Sequence, residues 1–600
     1  MRRFNVNIHA KSVSGPATHA VRAEAVSGNS ALAVQVALDV LASGGNAFDA
    51  AVAAGLALQV VEPHQCGLGG EAVAILHPVD RESPLVVCGQ GTAPAAATIS
   101  RYSQDGLTVV PGAGLMAAVV PGAFDAWMLI LRDFGTLSLR EVLQPALAFA
   151  EHGFAINKQI ARGIAKVEAL FRSRWPSSAA IFLPRDAVPQ VGDTFANPTL
   201  ARTYARLQRE AEQAGSQRET QIEAARAAFY RGFVADAIGR FVHSVPDVDQ
   251  AGVARRGLLT EDDLARWTAT IEPAVSFQFR GFSVHKAGPW SSGPVMLQLL
   301  ALIQDLDFAE LDPAGAAFVH VLVEAAKLAY ADREAWYGDP NFVDVPIAYL
   351  LSETYNHARR RLIEEMASDD LRPGSIPGRC AILPSFEQQP TATSVEPGLI
   401  ARPEPVNTSQ VNISDRFGNM ASASASGGWL TGSPVIPELG FTLSTRGQMF
   451  WLQGGLASSL APHKRPRTTL SPTLVSRDGA PVIAFGCRGA DKSDQWNAQF
   501  LLRHLDQAMS LREALSAPNF YSEHWPVSTS PRHACRRKLN LSEGFDDAVV
   551  GELRDRGHII PPRRGGTLDY CVCAAKAIGS QVEAAIAASD PTGDASCRVP

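Results

Sequence analysis

The sequence predicts an α+β fold with helix concentrated before residue 372 and strand after residue 405. Three observations carry this. The 600 residues are 46% hydrophobic and 19% charged, enough apolar content for a large buried core. Apolar residues recur at helical spacing through most of Leu115–Arg372. The stretch Leu371–Pro405 then carries seven prolines, and strand-like alternation begins beyond it. The length exceeds what one core usually organises, so it predicts two to four domains or one large composite fold.

Asn29–Val61 reads as two helices. Ser30 is placed to cap Ala31–Ala42, which Gly44-Gly45 stops, and Asn46 is placed to cap Ala47–Val60. Glu62-Pro63-His64-Gln65-Cys66-Gly67-Leu68-Gly69-Gly70 follows, then a strand over Ala72–His77. These glycines come after a helix and before a strand, the reverse of a dinucleotide fingerprint, so Gly67, Gly69 and Gly70 point to a tight backbone turn. Helices are predicted over Ala123–Arg132, Leu139–His152, Pro198–Ala214, Glu219–Tyr230, Thr260–Trp267, Val295–Asp305 and Ala316–Glu334. Val275–His285 reads as two short strands around Arg280-Gly281.

Composition removes several function classes. Lys+Arg at 54 against Asp+Glu at 60 gives a net charge of -6 with no long basic run, so no nucleic-acid footprint is present. No apolar run approaches the ~20 residues of a membrane span; the longest candidate, Ala47–Val61, contains Asp49 and Gln59. Arg2-Arg3 is not followed by the apolar stretch of a secretory signal, and the eight cysteines are sparse, which together lead us to expect a cytoplasmic protein with reduced thiols. Cys571-Val572-Cys573 reads as alternate residues of one strand, with no second pair to complete a zinc site, so no metal is expected. Small-molecule chemistry is what remains.

After the proline-rich stretch, alternation in Ser409–Ser414, a Gly-containing turn and alternation in Met420–Ser426 read as a β-hairpin. With Arg416-Phe417-Gly418 as a three-residue loop and Gly418 left-handed, Asp415 pairs with Asn419 and facing positions sum to 834, so Thr408 faces Ser426. Two facing hydroxyls are commonly an ordinary cross-strand contact.

A set of ordered motifs gives that pair more weight. Ser43-Gly44-Gly45-Asn46-Ala47-Phe48-Asp49-Ala50-Ala51, Val61-Glu62-Pro63, Gly67-Leu68-Gly69-Gly70, Thr92-Ala93-Pro94, Val120-Pro121-Gly122, Gly257-Leu258-Leu259-Thr260, Ser291-Ser292-Gly293, Gly338-Asp339-Pro340 and Ser471-Pro472-Thr473 run in this order across roughly residues 25–575. In these the chain resembles the gamma-glutamyltransferase family of N-terminal-nucleophile hydrolases. The resemblance implies a four-layer αββα sandwich, built jointly from a large segment 1–407 and a small segment 408–600 that form one composite domain. It also implies self-cleavage between Asn407 and Thr408, because Asn407-Thr408-Ser409-Gln410 resembles the family's Asn-Thr-Thr-His. Asn407-Thr408-Ser409 is also a glycosylation sequon, a reading that the missing secretory signal disfavours. A threonine hydroxyl needs an adjacent base to attack near neutral pH. A freed α-amine, with an ordinary pKa of about 7.7–8.0, supplies one in the same residue. Ser426 matches the family threonine that hydrogen-bonds the nucleophile.

The remaining site residues also come from the resemblance. Thr468 and Thr469 match two consecutive substrate-contacting hydroxyls, and Gly489 and Ala490 match the oxyanion-hole loop, where two backbone N–H groups stabilise a tetrahedral oxyanion. Ala490 stands where the family has glycine. Gln90 replaces the arginine that clamps the glutamyl α-carboxylate. Gln448 keeps the glutamine of Gln-Met-Asp-Asp, but Phe450 and Trp451 replace its two acids, and Gly428 replaces an asparagine. Losing such charge-assisted contacts costs roughly 1.5–3 kcal/mol each, so a γ-glutamyl donor is expected to bind poorly. Arg446 and Arg488 are candidate replacements for carboxylate recognition.

The expected function is hydrolysis, through a threonyl ester, of an amide whose acyl group lacks an α-amino group, such as a dicarboxylic half-amide. No metal or organic cofactor is called for. The expected partners are that small amide and the two cleavage fragments, one with the other; nucleic acid and membrane are not expected, and homo-oligomerisation is left open. The alternatives are a true γ-glutamyl hydrolase or transpeptidase acting on glutathione-like donors, and an uncleaved, catalytically silent binding protein.

Overall fold

The computed structural model describes residues 24–244, 246–248, 253–386, 408–530, 532–562, 571–576 and 596–598. Asn407, the N-terminal arginines, most of the proline-rich stretch and the side chains of Cys571 and Cys573 lie outside the described residues.

The strands that frame the site are β1 (Ala25–Gly28), β2 (Glu71–His77), β3 (Leu85–Gly89), β4 (Thr270–Pro273), β5 (Val275–Phe279), β6 (Phe282–Lys286), β7 (Thr408–Ser414), β8 (Met420–Ser426), β9 (Thr473–Arg477), β10 (Ala480–Arg488), β11 (Cys571–Lys576) and β12 (Ser596–Arg598). Among the described residues they form a seven-stranded sheet in the order β12-β1-β7-β8-β2-β3-β4 and a five-stranded sheet in the order β11-β10-β9-β6-β5. Both sheets interleave strands from before and after Thr408.

Alternation along the central hairpin explains its two faces. Val411 and Ile413 of β7, with Ala421, Ala423 and Ala425 of β8, join the apolar core of helices α1 (Ala31–Ala42), α2 (Ala47–Val61) and α3 (Ala123–Phe134). The opposite face is polar and meets the second sheet. Ser422 Oγ donates to the Phe485 carbonyl at 3.0 Å, and Gln410 Nε2 donates to Asn412 Oδ1 at 2.8 Å and Ser422 Oγ at 2.9 Å. Every strand of this network brings its own partner, which is what lets polar side chains sit between two sheets. A Cβ on Gly486 of β10 would lie 2.5 Å from the Gln410 side chain, so glycine sets how closely the sheets approach. On the outer side of the second sheet, α4 (Pro294–Ile303) lies against β5 and α5 (Ser493–Leu505) against β10.

The predicted helices are found with small boundary shifts, for example Ala47–Val61 for Ala47–Val60 and Ala316–Trp336 for Ala316–Glu334. Asn46 closes a capping box with Asp49, as expected. Ser30 does not cap as predicted: its carbonyl accepts the Val34 N–H at 3.0 Å, but its hydroxyl makes no cap hydrogen bond. The helices Lys158–Ser173 and Phe233–Ser244 were not predicted, although Ile160, Ile164, Val167 and Phe171 mark the buried stripe of the first.

Candidate active site

The hairpin closes as its turn chemistry dictates. Gly418 is left-handed at φ +91°, Asp415 N–H bonds the Asn419 carbonyl at 3.1 Å, and the register runs from Ser414–Met420 to Thr408–Ser426. Thr408 Oγ1 donates to Ser426 Oγ at 3.4 Å, and both residues are buried. Ser426 Oγ also accepts from Arg446 Nη2 at 2.6 Å, and Arg446 Nε donates to Glu71. Ser444 Oγ donates to the other Glu71 oxygen at 2.5 Å. Glu71 therefore anchors an arginine that in turn orients the hydroxyl facing Thr408.

The glycine-rich loop makes this possible by close approach. Gly70 N–H bonds the Gly67 carbonyl at 2.9 Å, so the loop is a tight turn, as read. A Cβ would lie 2.2 Å from the Ser426 carbonyl on Gly70, 2.5 Å from the Gly428 carbonyl on Gly67 and 2.1 Å from the Thr442 carbonyl on Gly69. These contacts deliver Glu71, the first residue of β2, to the end of the hairpin. The sequence reading missed Glu71; an acid directly before the apolar run Ala72-Val73-Ala74-Ile75-Leu76 was the available signal.

Arg446–Met449 is a short 3₁₀ turn that connects this cluster to a second one. Gln448 is hydrogen-bonded within the fold on both ends of its amide: Oε1 accepts from Ser530 N–H at 3.1 Å and Nε2 donates to the Gly112 carbonyl at 3.1 Å. Trp451 is buried beneath Arg532, whose guanidinium carbon sits 4.2 Å from its ring centre. Phe450 joins an apolar cluster with Ala93, Met116 and Leu460. Gln90 is buried, donates to the Gly91 carbonyl at 3.1 Å and leaves Oε1 without a partner among the described residues. Arg532 had no motif to reveal it from sequence.

On the second sheet, Thr468 is pinned between Trp290 and Ser292 by backbone hydrogen bonds of 3.1 and 2.8 Å, and Thr469 is buried beside it. Gly489 follows β10 at φ +154°, and a Cβ there would meet Trp496 at 2.5 Å. Ala490 holds a left-handed backbone, φ +51°, where the family residue is glycine. Both lie directly after β10, the strand that packs against β7 and β8. Arg488 Nη1 donates to Gln159 Oε1 at 2.8 Å, and its charge adds to burial in lowering the pKa of the His64 imidazole to about 3. Arg446 and Arg488 thus have protein partners, Arg446 a carboxylate and Arg488 an amide.

His320, Glu324 and His558 bring three ligand-type atoms within 4.8 Å. They suit a metal poorly: Lys327 pairs with Glu324 at 2.6 Å, Arg372 adds a second cation, and the two rings hydrogen-bond each other at 2.9 Å.

The family model described as Gamma-glutamyltranspeptidase matches residues 33–598. The glutathione hydrolase-like YwrD proenzyme of Bacillus subtilis is 30% identical over 566 residues, covering 94% of this chain and 96% of its own. The acylase ACY 1 proenzyme of Pseudomonas sp. strain SE83 is 30% identical over 557 residues, covering 90% of this chain and 88% of its own. The solved structure of LmbA2991HD superposes with a TM-score of 0.91 at 43% identity, over 98% of this chain and all of that one. Matched along nearly its whole length, this chain belongs to the gamma-glutamyltranspeptidase family and is an N-terminal-nucleophile amidohydrolase/transferase.

Proposed function

We propose that the chain is a proenzyme that cuts itself between Asn407 and Thr408 and then hydrolyses an amide of a dicarboxylic half-amide type. The observation that carries this is the Thr408–Ser426 rung, with Ser426 held by Arg446 and Arg446 by Glu71. Cleavage frees the Thr408 α-amine, which takes the proton from Oγ1 as that oxygen attacks the amide carbon. Gly489 and Ala490 N–H groups hold the resulting oxyanion; the amine departs protonated, and water then cleaves the threonyl ester. Segments 1–407 and 408–600 stay associated because they share both sheets. The contacts of β7 and β8 with β10, with helices on the outer faces, support the four-layer αββα reading.

The acyl group is read from what the pocket lacks. Gln90, Phe450, Trp451 and Gly428 offer neither the arginine nor the carboxylates that would hold a glutamyl α-carboxylate and α-ammonium. One relative is named an acylase and others are named glutathione hydrolases, so the pocket residues rather than the names carry the choice of acyl group. The test begins with intact mass under denaturing conditions. Two chains meeting at Asn407/Thr408, the lighter at about 21 kDa in proportion to its share of 64.0 kDa, are expected. The processed protein should then release 4-nitroaniline from glutaryl-4-nitroanilide faster than from γ-glutamyl-4-nitroanilide. The reverse preference would establish the γ-glutamyl reading, and a chain that stays whole and inert would establish a silent binding protein.

A further inference from the structure

We infer that Arg532, with Trp451 and Ser458, forms the subsite that binds the free carboxylate of the acyl group. This rests on the amidohydrolase reading and adds a residue to it that no motif supplied. Arg532 Nε and Nη2 both donate to one oxygen, the Gln448 carbonyl, at 3.2 and 2.7 Å. Nη1 donates to nothing among the described residues, and no carboxylate lies within ion-pair distance of the guanidinium there. Trp451 Nε1 and Ser458 Oγ are buried without partners among the described residues, and the Trp451 backbone N–H bonds the Ser458 carbonyl at 3.1 Å. A guanidinium with no carboxylate within ion-pair distance among the described residues therefore lies over an indole whose N–H has no acceptor there. Buried donors are rarely left so, and a carboxylate, which only accepts, satisfies a guanidinium, an indole and a hydroxyl at once.

The surrounding charges favour an anion as well. Glu334 pairs with Arg333 and Arg467, each at 2.7 Å, and Asp491 pairs with Arg333. With Arg532, three buried arginines face two carboxylates, an excess of one positive charge. The backbone of Arg532 is left-handed, φ +58°, in a turn closed by its N–H on the Thr529 carbonyl at 2.9 Å. A non-glycine held there marks a residue the surroundings constrain. Its two bonds to Gln448 place it on the same 3₁₀ turn whose first residue, Arg446, reaches Ser426 opposite Thr408. The carboxylate would thus be gripped at one end of that turn while the amide lies at the other.

The test compares glutaryl- with pentanoyl-4-nitroanilide, equal in length and differing by a carboxylate against a methyl, on the full processed protein and on Arg532→Gln and Arg532→Lys. Arg532→Gln should cut kcat/KM for the glutaryl substrate by about tenfold or more beyond its effect on the pentanoyl one, chiefly through KM. Arg532→Lys, which keeps the charge without the fork, should fall between. Equal losses on both substrates, or none on the glutaryl one, would overturn the assignment. If the wild type hydrolyses neither anilide, the substrate reading fails separately, and calorimetry with oxalate, succinate and glutarate decides the subsite. Binding of one of them that Arg532→Gln weakens about tenfold supports it; no binding by the wild type, or binding that Arg532→Gln leaves unchanged, overturns it.

Discussion

Two buried arginines meet the same 3₁₀ turn in different electrostatic company. Arg446 is paired with Glu71 and spends its other end on the Ser426 hydroxyl. Among the described residues Arg532 has a backbone carbonyl and the Trp451 face as its contacts, and burial pushes its pKa down to about 9 despite Glu334 nearby, so it is still a cation at neutral pH. A cation neutralised inside the fold is part of the scaffold. One that the fold leaves unneutralised is available to a ligand. The sequence displays neither difference, because both positions read simply as arginine.

Removing the internal partner should have the largest effect. Glu71→Ala leaves Arg446 buried without its carboxylate and Ser444 without its acceptor, and is expected to cost about 3–5 kcal/mol on chemical denaturation. It should also slow processing and turnover, since the Ser426 hydroxyl loses its anchored donor. A variant with wild-type stability would show that Arg446 is not neutralised by Glu71, and the contrast between the two arginines would collapse.

Buried histidines extend the contrast to groups that avoid charge altogether. His524 is held between the Arg537 N–H at 2.9 Å and the Asp370 carbonyl at 3.2 Å, and burial, with Lys327 and Arg536 adding to it, lowers its pKa to about 3. His558 is lowered to about 3 by burial, then by Lys327, His320 and Arg556. The unfolded chain takes up these protons near pH 6.5 and the folded protein only near pH 3. Stability should therefore fall as pH drops from about 6.5 to about 3, by an amount on the order of a few kcal/mol. Urea midpoints at pH 7 and pH 4 measure this, and His558→Gln should flatten the slope; an equal slope in that variant would sink the assignment.

What was legible in the sequence follows the reach of each signal. Period-two alternation and one Gly turn fixed the hairpin register to the residue, because a three-residue loop leaves no freedom in which positions face each other. Helices α2 and Ala316–Trp336 were legible from spacing and caps. Glu71 and Arg532 were not, since their roles depend on partners far away in the chain: Arg446 lies 375 positions from Glu71, and Gln448 lies 84 from Arg532. Arg446 was read as a substrate contact for the same reason, its acidic partner being invisible from its own segment. The glycines Gly67, Gly69 and Gly70 were read as a turn, but their main constraint is the backbone of Ser426, Gly428 and Thr442 pressed against them, which no local pattern encodes.

A smaller effect is expected at the loop proposed to form the oxyanion hole. Ala490 adopts φ +51°, a conformation that costs an L-residue with a Cβ about 1 kcal/mol, so Ala490→Gly should recover up to that amount in the denaturation midpoint. Because the backbone is already in the glycine-like conformation, kcat should change little. A large gain in kcat would show that the methyl group distorts the hole, and a loss of stability would show that the left-handed conformation is not strained here.

The smallest shift is expected at Arg532 itself, and it separates the two arginines most sharply. Arg532→Met removes a buried, unneutralised charge, which favours the folded state, and also removes two hydrogen bonds to the Gln448 carbonyl, which disfavours it. These terms oppose each other at similar size, so unliganded stability should move by no more than about 1 kcal/mol either way. Placed beside the Glu71→Ala loss, that near-neutrality would mean the fold does not depend on Arg532, so that its charge, its left-handed backbone and its unfilled donor are kept for what binds there. A loss as large as that of Glu71→Ala would instead make Arg532 a structural cation like Arg446, and the carboxylate would have to be sought elsewhere in the pocket.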